Sequence, residues 1–248
     1  MKRQYRKWFS DRLGRDMELL VFGHAGAKVL VFPTREGRFY DYENWGLVDA
    51  LRHSIDGGCL RLFCVDGVDS ESLYCKSVPP PTRAWRHRQY EGYILQEAIP
   101  FIRSENGTPS LIVHGCSIGA YHAMNLALRH PWLFCKVVAL SGRFDLTRPV
   151  GPFDDLFSGH YDEDVYFITP NHFLPNLNDP GWLEPIRSMD ITLAVGEQDP
   201  FHESNRVLSD ALARKGVPHR LAIWPRGGPP CAILARNGAP IPVTAHYR

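Results

Sequence analysis

Leu111-Ile112-Val113-His114-Gly115-Cys116-Ser117-Ile118-Gly119-Ala120-Tyr121-His122 is the stretch that decides the fold. A mostly apolar, strand-like run enters Gly-x-Ser-x-Gly, and a helical pattern follows at once. A serine hydroxyl is a poor nucleophile unless it is held beside a base, and a sharp strand-to-helix turn presents it at the edge of a sheet. Glycine on either side leaves room where a Cβ would collide with the neighbouring strand and helix. The first amides of the helix, that of Ile118 included, point to where an oxyanion would form. Ser117 is therefore the candidate nucleophile, with Cys116 and Ile118 as packing residues. The competing reading is a plain structural turn.

Outward from this turn, short β-branched runs alternate with longer helical ones. Leu19 to Phe22, Val29 to Phe32, Leu60 to Val65, Leu111 to His114, Val137 to Leu140, Ile191 to Val195 and Leu221 to Trp224 read as strands. Several are apolar at consecutive positions, as a parallel strand covered on both faces requires. Asn44 to Ser54, Arg83 to Arg103, Ala120 to His130 and Asn205 to Lys215 read as helices. The expected class is α/β, a mostly parallel sheet flanked by helices. Phe144 to Ser188 breaks the rhythm with six prolines and scattered aromatics. It is expected to form an irregular cap at about 143–188 on one domain spanning 1–248.

The strand order supplies the next candidates. A carboxylate just past Ile191 to Val195 is where the acid of a Ser, Asp or Glu, His series belongs. Asp199 is preferred to Glu197, because Pro200 holds the turn after it; its plain reading is a turn residue or helix cap. The loop after Val29 to Phe32 is expected to donate a second oxyanion amide, from Thr34 or Arg35. The side chains of Arg35 and Arg38 read either as surface charges or as ligands for an acidic substrate.

Composition narrows the classes. The chain has 248 residues, 44% hydrophobic and 22% charged, with a net charge of +1. That suffices for a sizeable core and leaves no basic excess for nucleic acid. No run of 18 apolar residues is present, and the basic start, Met1 to Lys7, leads into no apolar segment, so neither a membrane span nor a signal peptide is expected. Six cysteines without a C-x-x-C pair read as buried thiols of a cytoplasmic protein.

With these residues in place, the sequence resembles the Putative esterase (esterase D-like) family of α/β-hydrolases over about residues 15–225. The likeness rests on Val31-Phe32-Pro33-Thr34 with Gly37-Arg38-Phe39, on His114 to Gly119, on Asn171 to Asn176, and on Gly196-Glu197-Gln198-Asp199-Pro200. The resemblance implies an α/β-hydrolase-type sheet and a serine hydrolase of carboxylic esters, with Ser117 as nucleophile, Asp199 as acid and no metal or organic cofactor. The family includes carboxylesterases, thioesterases and acyltransferases, so no substrate carries over.

The departure falls after the last strand, where the family places a catalytic histidine and then an aromatic-rich helix. Here no histidine occurs between Pro225 and His246, and Pro229, Pro230, Gly238, Pro240 and Pro242 oppose a helix. Five of the 20 prolines fall in the last 24 residues. Read one base forward, the codons permitted by Pro229-Pro230-Cys231 allow histidine. Those from Ala232 onward allow Arg-Tyr-Trp-Pro-Glu-Met-Val-Arg-Gln-Tyr-Leu, and Val243-Thr244 then allows a stop. Residues from about 226 to 248 are therefore expected to be a frameshifted tail.

Three histidines follow Asp199 in the chain, and of these His246 could serve as the base if the tail folds back over Ser117. His114 and His122 read as packing or hydrogen-bonding residues, and His202 and His219 as facing away from the serine. His160 and His172 could line a pocket. The expected activity is ester hydrolysis through an acyl-enzyme at Ser117, impaired by the missing base. The expected substrate is a small-molecule ester, with no nucleic-acid or membrane partner. Two alternatives stay open: a catalytically dead relative that binds an acyl ligand or a protein, and an acyltransferase or thioesterase with the same nucleophile.

Overall fold

The structure, a computed structural model, describes residues 1–105 and 111–225. Eight strands form one sheet: β1 (Arg3–Ser10), β2 (Arg15–Phe22), β3 (Ala27–Phe32), β4 (Leu60–Val65), β5 (Leu111–Cys116), β6 (Lys136–Leu140), β7 (Asp190–Gly196) and β8 (His219–Trp224). Their order is β1-β2-β4-β3-β5-β6-β7-β8. From β4 to β8 every pairing is parallel, whereas β1-β2 and β2-β4 are antiparallel. The fold is that of an α/β-hydrolase.

The consecutive apolar positions of the central strands have their cause in two cores. On β5, Leu111 and Val113 enter one core with Leu30, Val137, Ile191 and the helix residues Ala120, Ala123 and Met124. Ile112 and Cys116 enter the other, with Val29, Val31, Val138 and Leu140. A strand buried on both faces has no polar side, so its sequence shows no alternation.

Short helices α1 (Asp41–Asn44), α2 (Leu47–Ala50) and α3 (Arg52–Asp56) replace the single helix expected from Asn44 to Ser54. Gly46, at φ 74°, is left-handed and resets the chain between the first two. Helix α4 (Pro80–Tyr93) continues through a π turn (Ile94–Ala98) into α5 (Ile99–Ser104). Pro100 has no amide hydrogen for the bond back to residue 96, so the helix widens just before it. Helix α6 (Ile118–Arg129) follows β5 directly. Between β6 and β7 lie α7 (Glu163–Phe167), α8 (Pro170–Phe173) and α9 (Pro180–Ser188), and α10 (His202–Arg214) joins β7 to β8.

Strand β1 went unread in the sequence. Along it exposed residues alternate with half-buried ones, and Arg, Lys and Gln occupy half of the positions, so the edge strand carries no continuous apolar run. Among the described residues no helix is long and apolar enough to cross a membrane.

The cysteine reading is corrected in part. Cys64 is a buried thiol, but Cys59 is exposed, and Cys75 and Cys135 are half-buried.

Candidate active site

Ser117 stands where β5 becomes α6, with φ 58° and ψ −120°. A β-carbon residue is rarely held there, and the strain costs on the order of 1–3 kcal/mol. Two bonds hold the turn: the Ser117 amide donates to the Leu140 carbonyl on β6 (2.9 Å), and the Tyr121 amide donates to the Ser117 carbonyl (3.2 Å). The flanking glycines are required by space. A Cβ on Gly115 would lie 2.2 Å from Gly119 C, and one on Gly119 would lie 2.4 Å from the Pro33 carbonyl oxygen.

That last approach brings the loop after β3 against the first turn of α6. Thr34 and Arg35 open a turn closed by the Gly37 amide on the Thr34 carbonyl (2.8 Å). Ile118 is the first residue of α6, where a helix leaves its amides without internal acceptors. The loop that carries Thr34 and Arg35 and the first amides of α6 thus lie together, beside Ser117.

Asp199 follows β7 and is only 5% exposed. Its carboxylate accepts the Ser141 hydroxyl (2.5 Å) and the Phe201 amide (2.8 Å). Ser141 follows β6, has φ 53°, and donates its amide to Ala194 on β7 (2.7 Å). A second strained serine therefore holds the carboxylate at the carboxyl ends of β6 and β7. Sequence reading missed Ser141; the only available signal was its place at the end of a strand, before Gly142.

No described histidine hydrogen-bonds to Ser117. His114 is buried; its Nδ1 donates to the Val138 carbonyl (2.7 Å) and its Nε2 accepts from the Tyr42 hydroxyl. Burial lowers its pKa to about 4. His122 lies 3.1 Å from Asp69, and His87 pairs with the Tyr121 hydroxyl (3.1 Å). Burial first, then the neighbouring His122, lowers the His87 pKa to about 3. His219 pairs with Ser209 (2.7 Å) at the start of β8, opposite Ile191, at the far end of the strands from Ser117. His160 pairs with Asp162, and His172 with Tyr161 and Asp145. His246 lies outside the described residues.

Two open side chains now separate. Arg38 donates to Asp66 (2.7 Å) and Glu18 (2.6 Å), which makes it structural. Arg35 is exposed and covers the Tyr74 ring at 4.8 Å. Among the described residues no three His, Cys, Asp or Glu side chains group to hold a metal ion.

Residues 12–225 match the family described as "Putative esterase". The chain belongs to this esterase family. It is a hydrolase, and solved structures repeat its architecture. A ferulic acid esterase superposes with a TM-score of 0.73 at 17% identity, covering 92% of this chain and 90% of its own. An S-formylglutathione hydrolase from Agrobacterium tumefaciens gives 0.72 at 14%, covering 94% and 91%. A fluorophosphonate-binding serine hydrolase from Staphylococcus aureus gives 0.68 at 15%, covering 96% of each chain. A search of curated proteins found no match.

Proposed function

We propose that this hydrolase cleaves small-molecule carboxylic esters in the cytoplasm through an acyl-enzyme on Ser117. The observation that carries the reading is the strained Ser117 backbone, at φ 58° between β5 and α6. In this reading the Ser117 hydroxyl attacks the ester carbonyl, its proton passes to an imidazole, and the alcohol leaves. Water then repeats the sequence and frees the acid. The Ile118 amide and that of Thr34 or Arg35 stabilise the oxyanion, and Asp199 orients the imidazole.

The imidazole is the missing part. We assign residues from about 226 to 248 to a one-base frameshift, and place the original histidine near position 229. The family match stops at residue 225, which supports this reading. So does the engagement elsewhere of His87, His114, His122, His130, His160, His172 and His219. The chain as written keeps nucleophile and acid and is strongly impaired, with His246 a poor substitute.

Sequencing the coding DNA tests the frame, and a closed or histidine-free shifted frame ends the idea. A protein carrying the shifted-frame ending is then assayed on p-nitrophenyl acetate against the chain as written. The expected gain in kcat/KM is several powers of ten, on the scale of losing a triad base. Equal rates would remove the frameshift from the account. Absence of Ser117 labelling by a fluorophosphonate in both proteins would favour the non-catalytic binder.

A further inference from the structure

Asp145, from the loop after β6, Tyr161, from the segment before α7, and His172, on α8, meet in one hydrogen-bonded chain. Asp145 fixes its order. Its Oδ1 accepts the Thr147 amide (2.9 Å) and hydroxyl (2.8 Å), which leaves Oδ2 for His172 Nε2 (3.3 Å). Burial would raise the Asp145 pKa, but the bonds from His172 and Thr147 outweigh it and lower the value to about 2. A carboxylate only accepts, so Nε2 carries the ring hydrogen. In the neutral ring Nδ1 is then bare, and it accepts the Tyr161 hydroxyl (2.9 Å). The order carboxylate, imidazole, hydroxyl is the order that activates an alcohol for attack.

Other histidine–carboxylate pairs among the described residues lack one part of this chain. His122 with Asp69 is buried, His130 shares Glu91 with Arg129, and His160 with Asp162 meets no side-chain hydroxyl. Tyr161, by contrast, is 53% exposed, so a reagent in solution reaches it. The cation nearest the chain, Arg148, stands 3.6 Å from Asp145 Oδ2 and is itself exposed, so solvent screens it. Asn176 holds the other side, donating to the His172 carbonyl (3.1 Å) and the Tyr166 hydroxyl (3.2 Å). Desolvation first, then Tyr166 and Asp145, raise the Tyr161 pKa. The phenol therefore keeps its proton at rest and has to give it up during attack.

We propose that Tyr161 is an acyl-accepting site, with His172 as its general base and Asp145 as the group that orients the base. The substrate class is an activated acyl compound, a carbonyl bearing a good leaving group. Tyr161 Oη bonds to the carbonyl carbon while its proton passes to His172 Nδ1, and Asp145 balances the imidazolium. The bond from that carbon to the leaving group then breaks. The leaving group takes the electron pair and the proton from Nδ1, and Tyr161 remains as an aryl ester. Neither Ser117 nor Asp199 takes part in these bonds, so the site is independent of the ester hydrolysis proposed above.

The test treats the full chain with N-acetylimidazole and follows acetylation of each tyrosine by peptide mass spectrometry. Tyr40 is the reference within the same sample: it is 37% exposed, and its hydroxyl meets no base among the described residues. At about pH 7.5 Tyr161 is expected to react about 10²-fold faster than Tyr40, the low end of general-base assistance. Exposure alone accounts for less than twofold, 53% against 37%. His172→Phe should bring Tyr161 down to the Tyr40 rate, and Asp145→Asn should slow it by roughly tenfold through the wrong imidazole tautomer. An unchanged Tyr40 rate shows that each variant is folded. On the unaltered chain the Tyr161 rate should level off between about pH 7.5 and 9.5, whereas an unassisted phenol gains about tenfold per unit there. A Tyr161 rate within twofold of Tyr40 would overturn the proposal. So would a Tyr161 rate unchanged by His172→Phe, or one that climbs with pH as an unassisted phenol does.

Discussion

Two polar clusters flank the start of α6, and they hold complementary parts of the same chemistry. At the carboxyl ends of the strands stand Ser117, Asp199 and Ser141, with no described imidazole on Ser117. Behind α6 lie His122 against Asp69, and His87 against Tyr121, with no strained serine. The second cluster is sealed: His122 is 5% exposed, and His87 and Asp69 are each 2%. His87 Nδ1 and Asn125 Oδ1 lack partners and line one small cavity. An imidazole and a carboxylate in contact therefore do not make a site. Access, and a serine held in a strained turn, separate the two clusters.

The largest expected effect tests the first cluster. In the protein with the shifted-frame ending, Ser117→Ala should lower kcat on p-nitrophenyl acetate by about 10⁶-fold and abolish fluorophosphonate labelling. Retained labelling would move the nucleophile elsewhere and dissolve the contrast. Asp199→Asn in the same protein should cost about 10⁴-fold in kcat. A loss within threefold would return Asp199 to the role of a turn residue.

The second cluster, together with the buried His114 on β5, is tested by pH rather than by turnover. His87 and His114 have folded pKa values lowered from 6.5 to about 3 and about 4. Below pH 6.5 the unfolded chain binds protons that the folded chain refuses, so their contribution is full above that pH. It is lost as the pH falls through 6.5 toward the folded values. Between pH 7 and pH 4.5 stability should drop by a few kcal/mol, read as urea midpoints. His87→Phe should flatten the slope. A pH-independent midpoint would mean that the cluster is hydrated and open.

The smallest effect concerns the fastening of the acid. Ser141→Ala removes the hydroxyl that Asp199 accepts, and kcat should fall roughly tenfold at constant KM, the scale of one hydrogen bond to a charged group. A rise in KM alone would make Ser141 part of substrate binding instead.

How much of this was legible follows from range. The β5 run, its two glycines and α6 are contiguous, and each constraint on Ser117 is local or set by the neighbouring strand, so the turn could be read directly. Asp199 was reachable because a fixed strand order places an acid after β7. Ser141 was not, because its hydroxyl meets Asp199 across 58 positions of chain. The link from Tyr161 through His172 to Asp145 was invisible for the same reason. Edge strand β1 was missed because half-exposed pairing leaves little apolar pattern.

By itself, then, the sequence determined the fold class, the strand-to-helix turn at Ser117 and the absence of a histidine between Pro225 and His246. These depend on local periodicity, on glycine's missing Cβ and on residue order. The tertiary structure alone decided that Arg38 is bound to Asp66 and Glu18, that His122 is sealed against Asp69, and that the buried Arg143 is held by three backbone carbonyls. Charge pairing and desolvation depend on which distant side chains share a space, and only the packed sheet and its loops settle that.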